Sequence, residues 1–349
     1  VAESVVGIDI GSTSLRAVEV GGQRKPKPTL LRYCEVPLSV GAVISGEVVE
    51  PNTVAAALKH LWSVGGFKSR NVVLGMGNQR VLARDLIVPR MSLARIRESL
   101  PFEVQEMLPV PVAEAVLDFY PIAETAGDNG PMVRGLLIAA VKQAVLSNVN
   151  ATQMAGLTTV DVDLIPFALS RVLLTRPKVP GTVALVDIGG STTSVVIATD
   201  GVPQFVRIIA TGGDDISQAL VNELGTTGEP AEAVKRRLGL ATGSVAAEDK
   251  RAVEIIYKTA SEQLMSLRNT INYFVNTRPT EAVHSIVLSG GGAQLHGLPE
   301  DLADMTRLRV EVGDPFSTVA LAKGINAEEL RSNASTFTVA LGLALGRAA

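Results

Sequence analysis

Two stretches of the chain carry one pattern suited to gripping a phosphate. Residues 5–20 read VVGIDIGSTSLRAVEV and residues 183–198 read VALVDIGGSTTSVVIA. Each is an apolar strand ending in Asp-Ile-Gly, then a Gly/Ser/Thr turn, then a second apolar strand. Gly11, Gly189 and Gly190 let the backbone approach a ligand closely. Successive N–H groups in such a turn form a concave anion site. The hydroxyls of Ser12, Thr13, Ser14, Ser191, Thr192 and Thr193 add neutral donors. Asp9 and Asp187 stand at the mouths of the turns, where a carboxylate repels phosphate unless a cation lies between them. Mg²⁺ fits, because it keeps several waters and bridges carboxylate to phosphate.

Taken singly, either stretch reads as an ordinary hairpin whose Asp caps its turn. The two copies align without gaps, however, and Val5/Val183, Asp9/Asp187, Ile10/Ile188, Gly11/Gly189 and Val18/Val196 are identical. A third glycine-rich turn, IVLSGGGAQLHGLPEDL at 286–302, offers Gly290, Gly291, Gly292 and Ala293 after another apolar strand. Two facing hairpins with a third loop beside them form a nucleotide clamp.

The elements that must position these turns follow from periodicity. Strands are expected near 5–10, 15–20 and 29–36, an amphipathic helix near 53–64 ending at Gly65-Gly66, and a strand at 71–77. The second half repeats the order, with strands near 183–187, 194–199 and 204–210. A helix follows TGGDD (211–215), capped by Asp214 or Asp215, and a strand lies at 285–290. Two β-β-β-α-β units indicate internal duplication, each a mixed sheet covered by helices.

Each half also carries an insertion. Residues 80–155 read as a strand, a helix that Pro101 kinks or interrupts, two strands around Asp128-Asn129-Gly130, and a helix near 143–155. No catalytic constellation is visible there, so a protein-contact surface is its expected role. Residues 221–280 read as helical, with a short helix at 229–240 and a long one at 246–275. The long helix carries Val253, Ile256, Ala260, Leu264, Leu267, Ile271 and Phe274 on one stripe, expected to face a core rather than form a coiled-coil seam.

Composition excludes several classes. A net charge of −3 lacks the basic footprint of a nucleic-acid binder, and 4% aromatics leave little for base stacking. Cys34 is the sole cysteine, so no intrachain disulfide forms, which fits a reducing cytoplasm. It reads as a small core residue. His60, His284 and His296 lack metal-ligand spacing, and no Ser-His-Asp grouping stands out. No signal peptide is visible, and the apolar stretch VALGLALG is too short to span a bilayer. The chain is expected to be soluble.

These turns, in this order, resemble those of the actin-like ATPase superfamily, which includes actin, chaperones, bacterial cell-shape proteins and sugar kinases. The two hairpin turns look like its first and second phosphate motifs, and LSGGGAQLHGL like its adenosine motif. ATGGDDIS (210–217), with Gly212 and Gly213, resembles the segment after the second phosphate motif in FtsA-like members. AEAVK (231–235) resembles the helix that approaches the ribose in bacterial relatives, with Glu232 accepting from ribose hydroxyls and Lys235 near the ribose or adenine. The segment IVPRMSLARIRESLPFEVQEMLPVPVAEAVLDFYPI and the ending VALGLALGRAA narrow the resemblance to the PilM family of type IV pilus assembly. FtsA instead continues to an amphipathic membrane tail.

The resemblance implies an α/β actin-like ATPase fold built from two duplicated RNase-H-like domains. Domain 1 would hold subdomain 1A (1–79, 156–182 and 328–349) and the inserted 1C (80–155). Domain 2 would hold 2A (183–220 and 281–327) and the helical 2B (221–280). It further implies ATP and Mg²⁺ as ligands, with Asp9 and Asp187 at the metal. It implies docking of the N-terminal cytoplasmic tail of a PilN-like inner-membrane protein between 1A and 1C. Other pilus components and self-association are further expected contacts. The chain would be cytoplasmic, drawn to the inner face of the membrane by its partner.

Two departures bear on chemistry, the first being Ser12 in place of a second glycine in the first turn. No Lys occupies the first turn, and Arg16 is expected on the strand's solvent face, leaving Mg²⁺ and backbone amides to offset phosphate charge. In VDVDLIPFAL (160–169), Asp163 is the candidate for positioning a hydrolytic water, by analogy with an acidic residue in bacterial relatives. A plain alternative is that Asp161 or Asp163 caps the helix starting at Leu164 or Pro166. Nucleotide binding with slow or negligible turnover is therefore expected. The rival function is a small-molecule kinase of the same superfamily, acting on a sugar or carboxylic acid. That needs a pocket of convergent polar groups in the first domain, and no such cluster is apparent. A scaffold that holds no nucleotide fits poorly with intact Asp9, Asp187 and the Gly-Gly-Gly turn.

Overall fold

The computed structural model describes residues 4–128, 130–240 and 245–346. The chain opens with β1 (Ser4–Ile10), β2 (Ser14–Gly21) and β3 (Thr29–Pro37), an antiparallel meander. A two-residue hairpin, β4 (Val43–Ile44) with β5 (Glu47–Val48), leads into α1 (Pro51–Gly65). Pro51 suits the first turn of α1, whose N–H groups are unpaired in any case. Gly66 closes the helix in the left-handed conformation, as its missing Cβ allows. β6 (Asn71–Met76) then returns parallel to β1.

Here the chain leaves the sheet. β7 (Val81–Pro89), α2 (Leu93–Glu103), β8 (Ala115–Gly127), β9 (Gly130–Val141) and α3 (Lys142–Met154) follow. β7, β9 and β8 form a separate antiparallel sheet in that order. One face packs α2 through Val88, Ile96, Leu100, Phe119 and Leu137. Pro101 does not interrupt α2: the helix runs through it to Glu103. Proline there deletes only the bond to the Arg97 carbonyl, and the helix ends two residues later. β8 and β9 meet between Gly127 and Gly130, while the central Asn129 of the expected turn lies outside the described residues. The chain rejoins the first sheet as β10 (Thr158–Leu164), followed by α4 (Ile165–Ser170) and a π-helical turn, Arg171–Thr175.

The second half repeats the scheme. β11 (Thr182–Ile188), β12 (Thr193–Thr199) and β13 (Val202–Ile209) form the meander. α5 (Gly213–Leu224), α6 (Gly228–Leu238) and α7 (Lys250–Thr277) precede β14 (Ser285–Ser289). Then come α8 (Leu298–Thr306), β15 (Arg309–Val312), β16 (Ala320–Leu321), α9 (Ala327–Ser332) and α10 (Thr338–Ala344).

The two large sheets have the same order. The first runs β10-β6-β1-β2-β3, extended by β16, and the second β15-β14-β11-β12-β13. Between them lies a shared core made by both sheets with α4 and α10, including Val18, Val20, Leu169, Val183, Val196 and Leu341. α1 and α3 cover the outer face of the first sheet, and the helices from α5 to α8 cover the second. Ile256, Ala260, Leu264, Leu267, Ile271 and Phe274 all point into that second core, so the stripe on α7 is a core face as expected.

α10 lies unusually close to its neighbours. A Cβ on Gly7 would fall 2.0 Å from the Ala340 carbonyl oxygen, and one on Gly342 would fall 2.1 Å from that of Ala168. Gly7 is what lets β1 touch α10, and Gly342 is what lets α10 touch α4. Among the described residues, no helix is long and apolar enough to cross a membrane.

Candidate functional site

The two Gly/Ser/Thr turns close in the same way. Gly11 N–H donates to the Ser14 carbonyl (3.0 Å), and Gly189 N–H to that of Thr192 (2.9 Å). The turns meet across the gap between the sheets. Ser12 Oγ donates to Asp214 Oδ2 at 2.7 Å, and a Cβ on Gly190 would lie 2.5 Å from Ser12 Oγ. The second turn also holds the head of α5: Gly213 and Asp214 N–H donate to the carbonyls of Gly189 and Gly190. Of the two acids expected to cap α5, neither is the N-cap residue itself, which is Gly212. Asp215 instead reaches back and accepts from Gly212 N–H at 2.8 Å, while Asp214 is taken by Ser12. The amides of Ser12, Thr13, Gly190 and Ser191 have no hydrogen-bond partner among the described residues. Those donors suit an anion.

Asp9 and Asp187 end their strands beside these turns and are both largely buried. Burial raises the Asp9 carboxyl, against the pull of Arg16. Asp187 is pushed up to about 7, by burial above all. The nearby Ser289 hydroxyl eases the shift, the Asp9 charge adds to it, and Arg16 eases it again. Ser289 has only one hydrogen to give, and its Oγ also donates to Thr338 Oγ1 at 2.9 Å, so its relief of Asp187 is partial. Asp187 Oδ1, Ser14 Oγ and Arg16 Nε are all buried without a partner. Such orphaned atoms beside free amides mark a place that a ligand completes.

Arg16 departs from expectation. It stands opposite Asp9 in the β1–β2 register and opposite Glu35 in the β2–β3 register. Its side chain, 19% exposed, bridges Asp9 (3.4 Å) and Glu35 (2.9 Å) rather than facing solvent. The first turn therefore has a cation beside it.

The residues expected at the nucleoside are also brought together. Lys235 is buried; its Nζ donates to the Gly213 carbonyl (2.9 Å) and pairs with Glu232 (2.6 Å). Burial works to raise the Glu232 carboxyl, but hydrogen bonds from Lys235, Ser217 and Arg236 outweigh it and hold it at about 2. On the opposite wall Gly290 packs on Ile188 and donates to the Ser335 carbonyl, whereas a Cβ on Gly291 would meet open space. Sequence reasoning missed Gln263 on α7, whose Nε2 donates to the Gly212 carbonyl at 2.7 Å. It sits about fifty residues from that glycine, and no spacing signals the contact.

Asp163 is committed elsewhere. Its Oδ1 accepts from Leu164 N–H (2.8 Å) and its Oδ2 from Arg171 Nη2 (2.7 Å). Arg171 also donates to the Gly342 carbonyl (2.6 Å), which ties the pair to α10. With both oxygens engaged in a buried ion pair, Asp163 is an anchor for α4 and α10, not a group free to orient water. Nor does either acid cap α4: Asp161 accepts from Val162 N–H, and the N-cap Leu164 has no side-chain bond.

That ion pair lies in a groove of about 270 Å³ where three parts of the molecule meet. α2 and β8 of the inserted sheet contribute Leu93, Arg97, Asp118 and Tyr120, α4 contributes Phe167, and β13 contributes Pro203. Tyr120 and Phe167 stack with centroids 4.6 Å apart, and Arg97 pairs with Asp118 at 2.6 Å. The inserted sheet is further tied to the second half. Arg278 Nη2 donates to both Asp85 oxygens at 2.7 Å, and Arg134 to Gln204 at 2.9 Å.

Two equally ordered sheets, paired turns at facing carboxylates and a core helix between them define an actin-like ATPase fold. A solved structure of MreB 5 from Spiroplasma citri bound to AMPPNP shares that fold at 12% identity and a TM-score of 0.54, covering 97% of this chain and 94% of that one. The chain belongs to the PilM family: the model for type IV pilus assembly protein PilM matches residues 7–348. A solved PilM–PilN type IV pilus biogenesis complex contains a chain 30% identical, with a TM-score of 0.85 over 98% of this chain and 97% of that one. Cell division protein FtsA of Bacillus subtilis (strain 168) is 23% identical over 90% of this chain and 79% of its own length. FtsA of Escherichia coli (strain K12) is 26% identical over 50% of this chain and 47% of its length.

Proposed function

We propose that the chain is a cytoplasmic nucleotide-binding scaffold of type IV pilus assembly. Its groove would dock the short N-terminal cytoplasmic tail of a PilN-like inner-membrane protein, which would recruit it to the inner face of the membrane. The observation that carries this reading is the groove itself. It opens at the junction of the inserted sheet with α4, and the chain is similar over nearly its whole length to one in a solved PilM–PilN complex. Its stacked aromatic wall offers an apolar anchor, and its ion pairs offer polar fixing points.

For the nucleotide, the residues fit Mg·ATP. Asp9 and Asp187 would hold the metal, through water or directly, and Arg16 would face the phosphates with the free turn amides. Two carboxylates suffice for Mg²⁺, which takes its remaining ligands from phosphate and water. Among the described residues no cluster of three or more His, Cys, Asp or Glu could hold a metal alone, so the metal would arrive with its nucleotide. Bound there, Mg²⁺ would neutralise phosphate charge. Ser12, Thr13, Ser14, Ser191 and Thr192 would line the phosphates, with Gly11, Gly189 and Gly190 as their backbone. Gly212, Gly213, Glu232 and Lys235 would flank the ribose, and Gly290, Gly291, Gly292 and Ala293 the base. We assign Asp163 no role toward water, and turnover is slow or absent.

In this reading the division is 1A at 1–79, 156–182 and 328–349, 1C at 80–155, 2A at 183–220 and 281–327, and 2B at 221–280. Titrating a PilN-like N-terminal peptide by calorimetry, with and without Mg·ATP, tests the proposal. Peptide affinity that changes with ATP supports a nucleotide-responsive scaffold, because such coupling is reciprocal. ATP binding without peptide binding removes the pilus role.

A further inference from the structure

Asp9, Arg16 and Glu35 form one row across β1, β2 and β3. The guanidinium in the middle is not shared evenly. Nη2 lies 2.9 Å from Glu35 Oε1, whereas Nη1 lies 3.4 Å from Asp9 Oδ2. Nη1 also borders the first turn, since a Cβ on Gly11 would sit 3.5 Å from it. Nε is buried and has no partner at all. The guanidinium is thus held closely through Nη2, while Nη1, beside the turn, is held only by the longer contact to Asp9.

We infer that Glu35 is a positioning residue for phosphate recognition: it anchors Arg16 through Nη2 so that Nη1 faces the first turn. The inference rests on the nucleotide reading above. Asp9 cannot serve as the anchor in that reading, because a divalent cation near Asp9 would weaken its hold on Arg16 and repel the guanidinium. Glu35 lies one strand further from the turn and keeps its grip with the metal bound. A planar guanidinium held by one nitrogen has the others aimed by its own geometry, which is why the anchor sets the direction of the remaining donors. Without it, Arg16 would turn toward Asp9 and compete with the metal for that carboxylate.

The test is calorimetric binding of Mg·ATP, Mg·ADP and adenosine to the wild-type chain, to Glu35→Gln, to Arg16→Gln and to the double variant. We expect Glu35→Gln to weaken both Mg·nucleotides about tenfold and leave adenosine unchanged. In the Arg16→Gln background it should add nothing, and Glu35→Asp should recover part of the loss. A loss shared equally by adenosine overturns the proposal, because a merely structural residue would act on all three ligands. So does Mg·ATP affinity unchanged by Glu35→Gln. A wild-type chain that binds no Mg·ATP overturns the nucleotide reading itself, and this proposal with it.

Discussion

Ser12 on the first turn donates to Asp214 on the helix behind the second, across 2.7 Å, and so pins the two halves of the molecule together at the phosphate turns. Gly190 leaves room for that contact and nothing more, since a Cβ there would crowd both partners. The arrangement is a closed one, held at the place where a ligand would enter. A ligand that favours the closed arrangement shifts the balance toward it.

Gly190→Val should force Ser12 and Asp214 apart and weaken Mg·ATP by at least about tenfold. Gly291→Val should also block nucleotide, by filling open space at the base wall, and should leave the thermal transition of the ligand-free protein in place. Calorimetry paired with thermal melts checks both. Loss of the folding transition in Gly291→Val would count against a role confined to binding.

Asp187 supplies a pH prediction. Its folded carboxyl is pushed up to about 7 from a reference of 3.8. Between those values the folded state holds more protons than the unfolded one, so ligand-free stability falls as pH rises from about 4 through about 7. Asp187→Asn should flatten that part of the stability–pH curve and raise the melting temperature at pH 8. Asp187→Ala should weaken Mg·ATP, and below pH 7 binding to the wild type should release a proton, seen as a buffer-dependent heat. Unchanged affinity in Asp187→Ala would contradict the metal role.

Glu19 is a structural carboxylate. It is 1% exposed and accepts from Ser4 Oγ, from Arg32, and from the backbone N–H groups of Lys68 and Ser69. Glu19→Ala would strand those donors around a cavity and should cost about 2–4 kcal/mol in chemical denaturation. Mg·ATP affinity of the folded fraction should not change.

The Asp163–Arg171 pair separates anchoring from catalysis. Arg171→Met leaves a buried, unpaired carboxylate and should cost about 3–5 kcal/mol, whereas Asp163→Leu with Arg171→Met should recover most of it. If Asp163 oriented water instead, Asp163→Asn would lower ATP turnover with stability intact. Comparing denaturation midpoints with phosphate release decides between them.

Phe167→Asp tests the groove. It places a charge against Tyr120 in the stacked aromatic wall and should abolish peptide binding while Mg·ATP still binds. Retained peptide affinity would move the docking site elsewhere.

Much of the architecture was legible in the sequence because the doubled hairpin fixes strand order at two places at once. The two Gly/Ser/Thr turns and the aspartates before them stood out by residue type and spacing, whereas Glu232 and Lys235 were singled out only by the resemblance of AEAVK to a family helix. Arg16 was misread for a physical reason. Assigning a strand charge to solvent presumes a solvent face, and β2 has none: Leu15 and Ala17 enter the outer core while Val18 and Val20 enter the shared one. Asp163 was misread because its partner Arg171 lies beyond a strand-to-helix turn and binds through a contact that spacing does not encode. A groove between 1A and 1C was expected, but its lining was not legible, since Leu93, Tyr120, Phe167 and Pro203 are neighbours only after three elements pack.

The close approach of Gly7 to Ala340 has a consequence for how the protein is made. β1 leaves the ribosome long before α10, yet each covers the other. The part of the first sheet's inner face that α10 covers therefore stays bare until α10 is made, apolar and open to wrong partners. Long-range closure of this kind slows folding, because the chain must be joined across nearly its full length before the contact stabilises anything. The nascent chain is thus the stage most in need of a chaperone, and a stop codon just before residue 338 would leave a product that stays there.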